Sequence, residues 1–294
     1  MRFLTRLFPS VAAAFALAAC GGQAEGAPRP AMWKVSDPDT TIYLFGTIHM
    51  LPKDFNWRTK KFDAAVASAD TLVLEIADQQ DQRKVAATFQ QMATTPGLPP
   101  LPERIAAEQR PALSELMRKA KLVDGQLDSF ETWAAALTLG VSLYNGIGAT
   151  AEDGVERQLT VQFSKDGKPI EGLETTPQQL GYFDKMPETS QRVLLASIVQ
   201  EAEESSDQFR EMTSAWSRGD LKKIAMTFDD ELRLSPELAD VLLRQRNANW
   251  AGWLEKRLDQ PGTIMVAVGA GHLAGKDSVV EMLEAKGLKV ERVQ

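Results

Sequence analysis

The chain has 294 residues, 44% of them hydrophobic, a net charge of -7 at neutral pH and one cysteine. That length can bury a large core, in one domain or in a domain with an elaboration, and the acidic balance argues against nucleic acid or an anionic membrane surface as partner. With Cys20 the only thiol, disulfides are excluded, as are a thiol nucleophile or a Cys-ligated zinc site in the mature body.

Residues 1–19 place Arg2 and Arg6 before an uncharged, alanine-rich stretch. This is the pattern of a secretory signal, too short to span a bilayer. Leu17-Ala18-Ala19-Cys20 resembles a bacterial lipoprotein box, which implies a diacylated Cys20 as the mature N-terminus. The protein would then face the periplasm, held to a membrane, the outer one of a Gram-negative cell, through its acyl chains alone. Residues 20–30, rich in Gly and Pro, are expected to be the lipidated cysteine and a flexible tether, and residues 31–294 a single domain.

Trp33 to Val35, followed by SDPD and Thr41, predicts an opening hairpin. Three apolar runs, Thr41–Phe45, Thr71–Ile76 and Thr263–Val268, are short, β-branched and without alternation, as in strands buried on both faces of a mostly parallel sheet. Pro169–Leu173 and Leu288–Val293 are weaker strand signals. The helical stripe of Arg58–Ala69 joins the first two runs, and Asp277–Lys286, closed by Gly287, follows the third. The expected fold is therefore α/β, a central sheet built from both chain ends. Between them, Arg104–Leu122, Asp128–Leu143, Glu188–Trp216 and Pro236–Leu258 read as helices, a layer or cap within about residues 78–258.

Both histidines of the chain, His49 and His272, follow an apolar run, a glycine and two residues: FGTIH and VGAGH. The glycines, Gly46 and Gly269, let the chain leave the strand so that the imidazole can point back over the sheet. Glu75 closes TLVLE and Glu174 follows PIEGL, so four polar groups fall at the carboxyl edge of the strands, where ligands of parallel sheets bind. Each histidine alone reads equally as a satisfied polar group, and Glu75 as a helix cap. Together, His49, Glu75 and His272 match the two-His, one-carboxylate set of a catalytic divalent ion, which activates a water without a protein nucleophile. Gly-x-Ser-x-Gly, Ser-x-x-Lys and His-Glu-x-x-His are absent from the chain.

From Trp33 to Val293 the chain resembles the TraB/GumN family, which includes pheromone-shutdown proteins and TIKI-type proteases. The resemblance rests on WKVSDPDTTIYLFGTIHMLP, LVLEI, GVERQL, GKPIEGLETTPQQL, RNANW and VAVGAGHLAGKDSVVEMLEAKGLKVERV. It implies a metal-dependent peptidase, with manganese, cobalt or zinc held by His49, Glu75 and His272 and with Glu174 as a further ligand or support. Gly46, Thr47, Gly269, Arg246 and Asn247 would contact substrate or orient these groups. Glu156 stands where relatives carry Asp, which leaves its part open. For Arg246 and Asn247 the alternative is a surface ion pair or cap, and for Trp250 and Trp253 it is plain packing. Two other functions stay in play: a metal-free hydrolase with His49 as general base, in outline like an erythromycin-esterase site, and a peptide- or signal-binding protein without catalysis.

Overall fold

The computed structural model describes residues 27–77, 82–232 and 236–294. The expected signal segment and Cys20 lie outside the described residues. The expected tether is held at its far end, where the Arg29 amide donates to the Ser217 carbonyl at 2.7 Å and Pro30 is buried. No helix among the described residues is long and apolar enough to cross a membrane.

The chain opens with the hairpin β1 (Met32–Ser36) and β2 (Thr40–Thr47), closed by Asp37, whose Oδ1 accepts from the Asp39 and Thr40 amides at 3.1 and 2.7 Å. β4 (Thr71–Ile76), β6 (Ile170–Glu174), β7 (Gly262–Gly269) and β8 (Val290–Arg292) complete a six-stranded sheet in the order β6-β4-β7-β2-β1-β8. β6, β4, β7 and β2 are mutually parallel, and β1 is antiparallel to both its neighbours. A mixed α/β fold with a mostly parallel sheet is thus observed.

The three continuous apolar runs are central strands because both sheet faces are covered. On one face Phe45, Leu74 and Met265 meet α1 (Lys60–Ser68) and α5 (Val155–Lys165), while on the other Leu44, Val73 and Val266 meet α10 (Gln245–Arg257) and α11 (Val279–Ala285). The middle of the chain is helical, as expected, and its helices divide between two roles. α5 and α10 flank the sheet, while α2 (Gln82–Ala93), α3 (Arg110–Lys119), α4 (Thr132–Gly146), α6 (Thr176–Asp184) and α7 (Glu188–Ser217) build separate apolar clusters of their own.

Two expected helices are corrected. Arg104–Leu122 becomes helical only at Arg110, after two short 3-10 turns. The Arg104 side chain is buried and donates to the carbonyls of Pro99, Asp128 and Phe130, which satisfies loop groups that a helix would have had to serve itself. Pro236–Leu258 is interrupted by a π turn at Asp240–Arg244, just ahead of Arg246. Such widened turns recur where a side chain must be re-aimed.

A small ribbon positions the site. β3 (Leu51–Pro52), just after His49, pairs antiparallel with β5 (Ala149–Thr150), which leads into Gly154 and α5. A Cβ on Gly154 would fall 2.0 Å from the His49 carbonyl oxygen, so only glycine allows this approach. The Val155 amide then donates to the Ile48 carbonyl at 3.1 Å.

Candidate functional site

β2 and β7 run side by side, with Gly46 opposite Val268 and Thr47 opposite Gly269. The two Gly-x-x-His segments are therefore adjacent but one residue out of step, and their glycines do different work. Gly46 packs against the turn after β7, where an added Cβ would lie 3.1 Å from the Ala270 Cα. A methyl on Gly269 would lie 3.2 Å from Glu75 Oε1 and 3.5 Å from both His49 Nε2 and His272 Cδ2. Its absence keeps the space beside Gly269 free for those three side chains.

His49 sits at the surface of this space, its side chain 64% exposed, and its Nδ1 donates to Glu156 Oε1 at 2.7 Å. Thr47 Oγ1 donates to the same oxygen. The second oxygen, Oε2, is buried without a hydrogen-bond partner. Glu156, in the first turn of α5, is brought here by the β3–β5 ribbon. Its negative charge, with help from Glu75, raises the His49 imidazole to about 9 against burial, which works the other way.

The deeper half is a buried network around Arg246. Its guanidinium donates to Glu75 Oε2 at 2.6 Å and to both oxygens of Glu174, from Nε at 2.9 Å and from Nη2 at 2.9 Å. It also donates to the carbonyl of Leu242, in the π turn, at 3.2 Å. Gln179 Nε2 and the Gly269 amide complete the shell of Glu75, at 2.9 and 2.8 Å. Burial opposes the Glu75 carboxylate, but the Arg246 and His49 charges and the Gly269 amide hold it well below the usual carboxylate range. Trp250 Nε1 donates to Glu174 Oε1 at 3.1 Å, and its ring lies 4.4 Å from that of His272.

Asn247 sets the tautomer of His272. Its Nδ2 donates to the Asp277 carbonyl at 2.9 Å, so its Oδ1 faces His272 Nδ1 at 2.6 Å and must accept. His272 Nε2 is then an acceptor, 3.2 Å from Arg246 Nη1. Burial first, and then the Arg246 charge, push this imidazole down to about 3, so it is neutral at physiological pH.

His49, Glu75, Glu174 and His272 thus meet at the carboxyl edge, with Thr47, Gly269, Glu156, Arg246 and Asn247 around them. Arg246 and Asn247 are buried, so the surface ion pair entertained for them does not occur. Trp250, read as packing, also binds Glu174. Gln179 escaped notice because its helix carried no periodic signal. The expected ion would have to displace Arg246 here, since the guanidinium holds both His272 Nε2 and Glu75 Oε2. Among the described residues no cluster of three His, Cys, Asp or Glu side chains has ion-holding geometry.

Protonation makes this half acid-sensitive. The unfolded His272 binds a proton below about 6.5, while the folded one refuses it until about 3. Stability therefore falls as pH drops through that window, by about 1.4 kcal/mol per pH unit for one excluded proton. Glu75 acts in the same direction, since its contribution is present above its unfolded value and is lost as pH falls. Thermal melts from pH 7 to 4 should show a steep loss for the wild type and a shallower one for His272→Gln. Parallel curves would remove His272 from the account.

His49 and Glu75 border a cavity of about 390 Å³, the size of a small-molecule site. No solved structure matches the chain. It is 27% identical over 242 residues to the uncharacterized protein YbaP of Escherichia coli K12, covering 82% of this chain and 87% of that one. To the YbaP of Shigella flexneri it is 27% identical over 241 residues, with the same coverage. The TraB/PrgY/gumN family model matches residues 31–292, nearly the whole described fold and every residue of the site, and the chain belongs to that family.

Proposed function

We propose that the chain is a hydrolase of ester or amide carbonyls in which His49 takes a proton from a water seated above Gly269. One observation carries the reading: Glu156 holds His49 Nδ1 at 2.7 Å, while Nε2 and Glu75 Oε1 converge beside Gly269, where His49 and Glu75 line an open cavity. Glu75 accepts the water's second hydrogen and orients it. The hydroxide attacks the carbonyl carbon, and the imidazolium returns its proton to the leaving group as the acyl bond breaks. Arg246 keeps Glu75 ionised, and Glu174, His272 and Asn247 hold that guanidinium in place. The same reading holds the protein to a membrane through acyl groups on Cys20, facing the periplasm.

The test is a pH profile of kcat/KM on p-nitrophenyl esters. Below about 9, His49 carries a proton and cannot act as base, so the rate should rise with pH and level off above that value. Glu156→Gln removes the main cause of the shift and should move the midpoint toward about 6.5. A flat profile, or one that Glu156→Gln leaves in place, overturns the role of His49. Chelators should not slow the reaction. Stoichiometric metal that is lost in His49→Ala would replace this scheme with an ion-centred one.

Gly269→Ala tests the seat of the water. The added methyl would crowd the two groups proposed to hold it, 3.2 Å from Glu75 Oε1 and 3.5 Å from His49 Nε2. The expected result is a loss of kcat of about a hundredfold or more at an unchanged melting temperature. Retained activity would place the water elsewhere.

A further inference from the structure

The cavity beside His49 and Glu75 has a mixed lining. Apart from its polar and charged members it is lined by Met50, Leu74, Ile76, Ala77, Val141 and Ala151. Val141, on α4, is 52% exposed, one of the few large apolar side chains among the described residues that face solvent. Its position on the cavity rim gives that exposure a use, because an apolar group entering the cavity would cover it.

The charges at the cavity are closed within the protein. Glu75 pairs with Arg246 at 2.6 Å, Glu156 with His49 at 2.7 Å and Glu152 with Arg157 at 3.0 Å. These pairs account for the charged residues of the lining, since Gln179 and Thr160, its other polar members, are neutral. A carboxylate or phosphate on the ligand would find no unpaired cation, and the one lining carboxylate oxygen without a partner, Glu156 Oε2, is buried out of an amine's reach. Either would lose hydration without recovering it from a fixed partner.

Resting on the hydrolase reading for its chemistry, we infer that the substrate is an uncharged ester or amide whose acyl group or side chain is apolar and lies along the Leu74–Ile76–Val141 wall. Discrimination should come from length and from neutrality together. Each methylene buried on that wall should tighten binding about fourfold, until the wall is filled.

Binding and turnover, measured side by side on the full chain, separate this inference from the reaction. Binding of acetamide, octanamide, octanoate and octylamine is followed by calorimetry, and hydrolysis of p-nitrophenyl acetate and octanoate by absorbance. Octanamide is expected to bind at least tenfold more tightly than the other three, and the octanoate ester to be preferred over the acetate. Val141→Asp should shrink the octanoate-to-acetate ratio about tenfold, and Val141→Leu should preserve it. Selective octanamide binding without hydrolysis of any ester would uphold the substrate class and remove the hydrolase reading. Hydrolysis without chain-length preference would do the reverse. Binding of octanoate or octylamine as tight as octanamide, or of none of the four, would overturn the inference.

Discussion

Substitution of His49 by alanine is expected to lower kcat/KM on a p-nitrophenyl ester by about 10²–10⁴-fold, the range for loss of a general base, with a modest fall in melting temperature below about pH 9, where the protonated imidazole pairs with Glu156. The two halves of that expectation come from different features. His49 Nε2 and Glu75 Oε1 converge beside Gly269, and no other imidazole can replace that of His49: His272 Nε2 is held by Arg246. The side chain is 64% exposed, so its removal opens no sealed cavity, and Glu156 keeps the Thr47 hydroxyl. The vacated position faces solvent, and added imidazole should restore a measurable part of the rate, with its own pH dependence. Activity within a factor of about three of wild type would remove His49 from the chemistry.

The second large effect is on stability. Arg246→Met should lower the stability of the fold by about 3–5 kcal/mol, the cost of leaving a buried ion pair without one partner, and the melting temperature by about 10 °C for a chain of this size. Glu75 and Glu174 have side chains only 8% and 5% exposed, and both rely on this one guanidinium. Without it they must take up protons to stay buried, so the deficit should shrink as pH falls from 8 to 5, opposite to the wild-type trend. Arg246→Lys should recover little, because one ammonium cannot span Glu75, both oxygens of Glu174 and the Leu242 carbonyl. A Met variant that melts with the wild type at pH 8 would show that the network is not what holds the sheet edge together.

How much of this was legible beforehand follows from the range of each interaction. TIYLF, TLVLEI and TIMVAV announce central strands because apolarity without alternation requires two covered faces. Their carboxyl ends then bring His49, Glu75, Glu174 and His272 to one edge. The partner of His49 could not be read in the same way. Glu156 lies 107 positions away on a helix with no strand before it except the two-residue β5, and it reaches His49 only because Gly154 lets the backbones touch. Arg246 looked equally like a surface residue, since the π turn that aims it inward leaves no periodic trace. The hold of that guanidinium on His272 Nε2, with which an ion would compete, leaves no sign in composition.

The pairing of β2 with β7 joins residues 40–47 to residues 262–269 along their full length. Contacts of such separation close late in folding, because the loop between them must lose its freedom before they return anything. Glu75 receives the Gly269 amide, and the space above Gly269 exists, only after that closure. A chain emerging from a ribosome or a secretion channel therefore carries His49 and Glu75 for most of its passage without a working site. Competence arrives with the last thirty or so residues, and a chain stopped before Gly262 would expose the open edges of β2 and β4 and catalyse nothing.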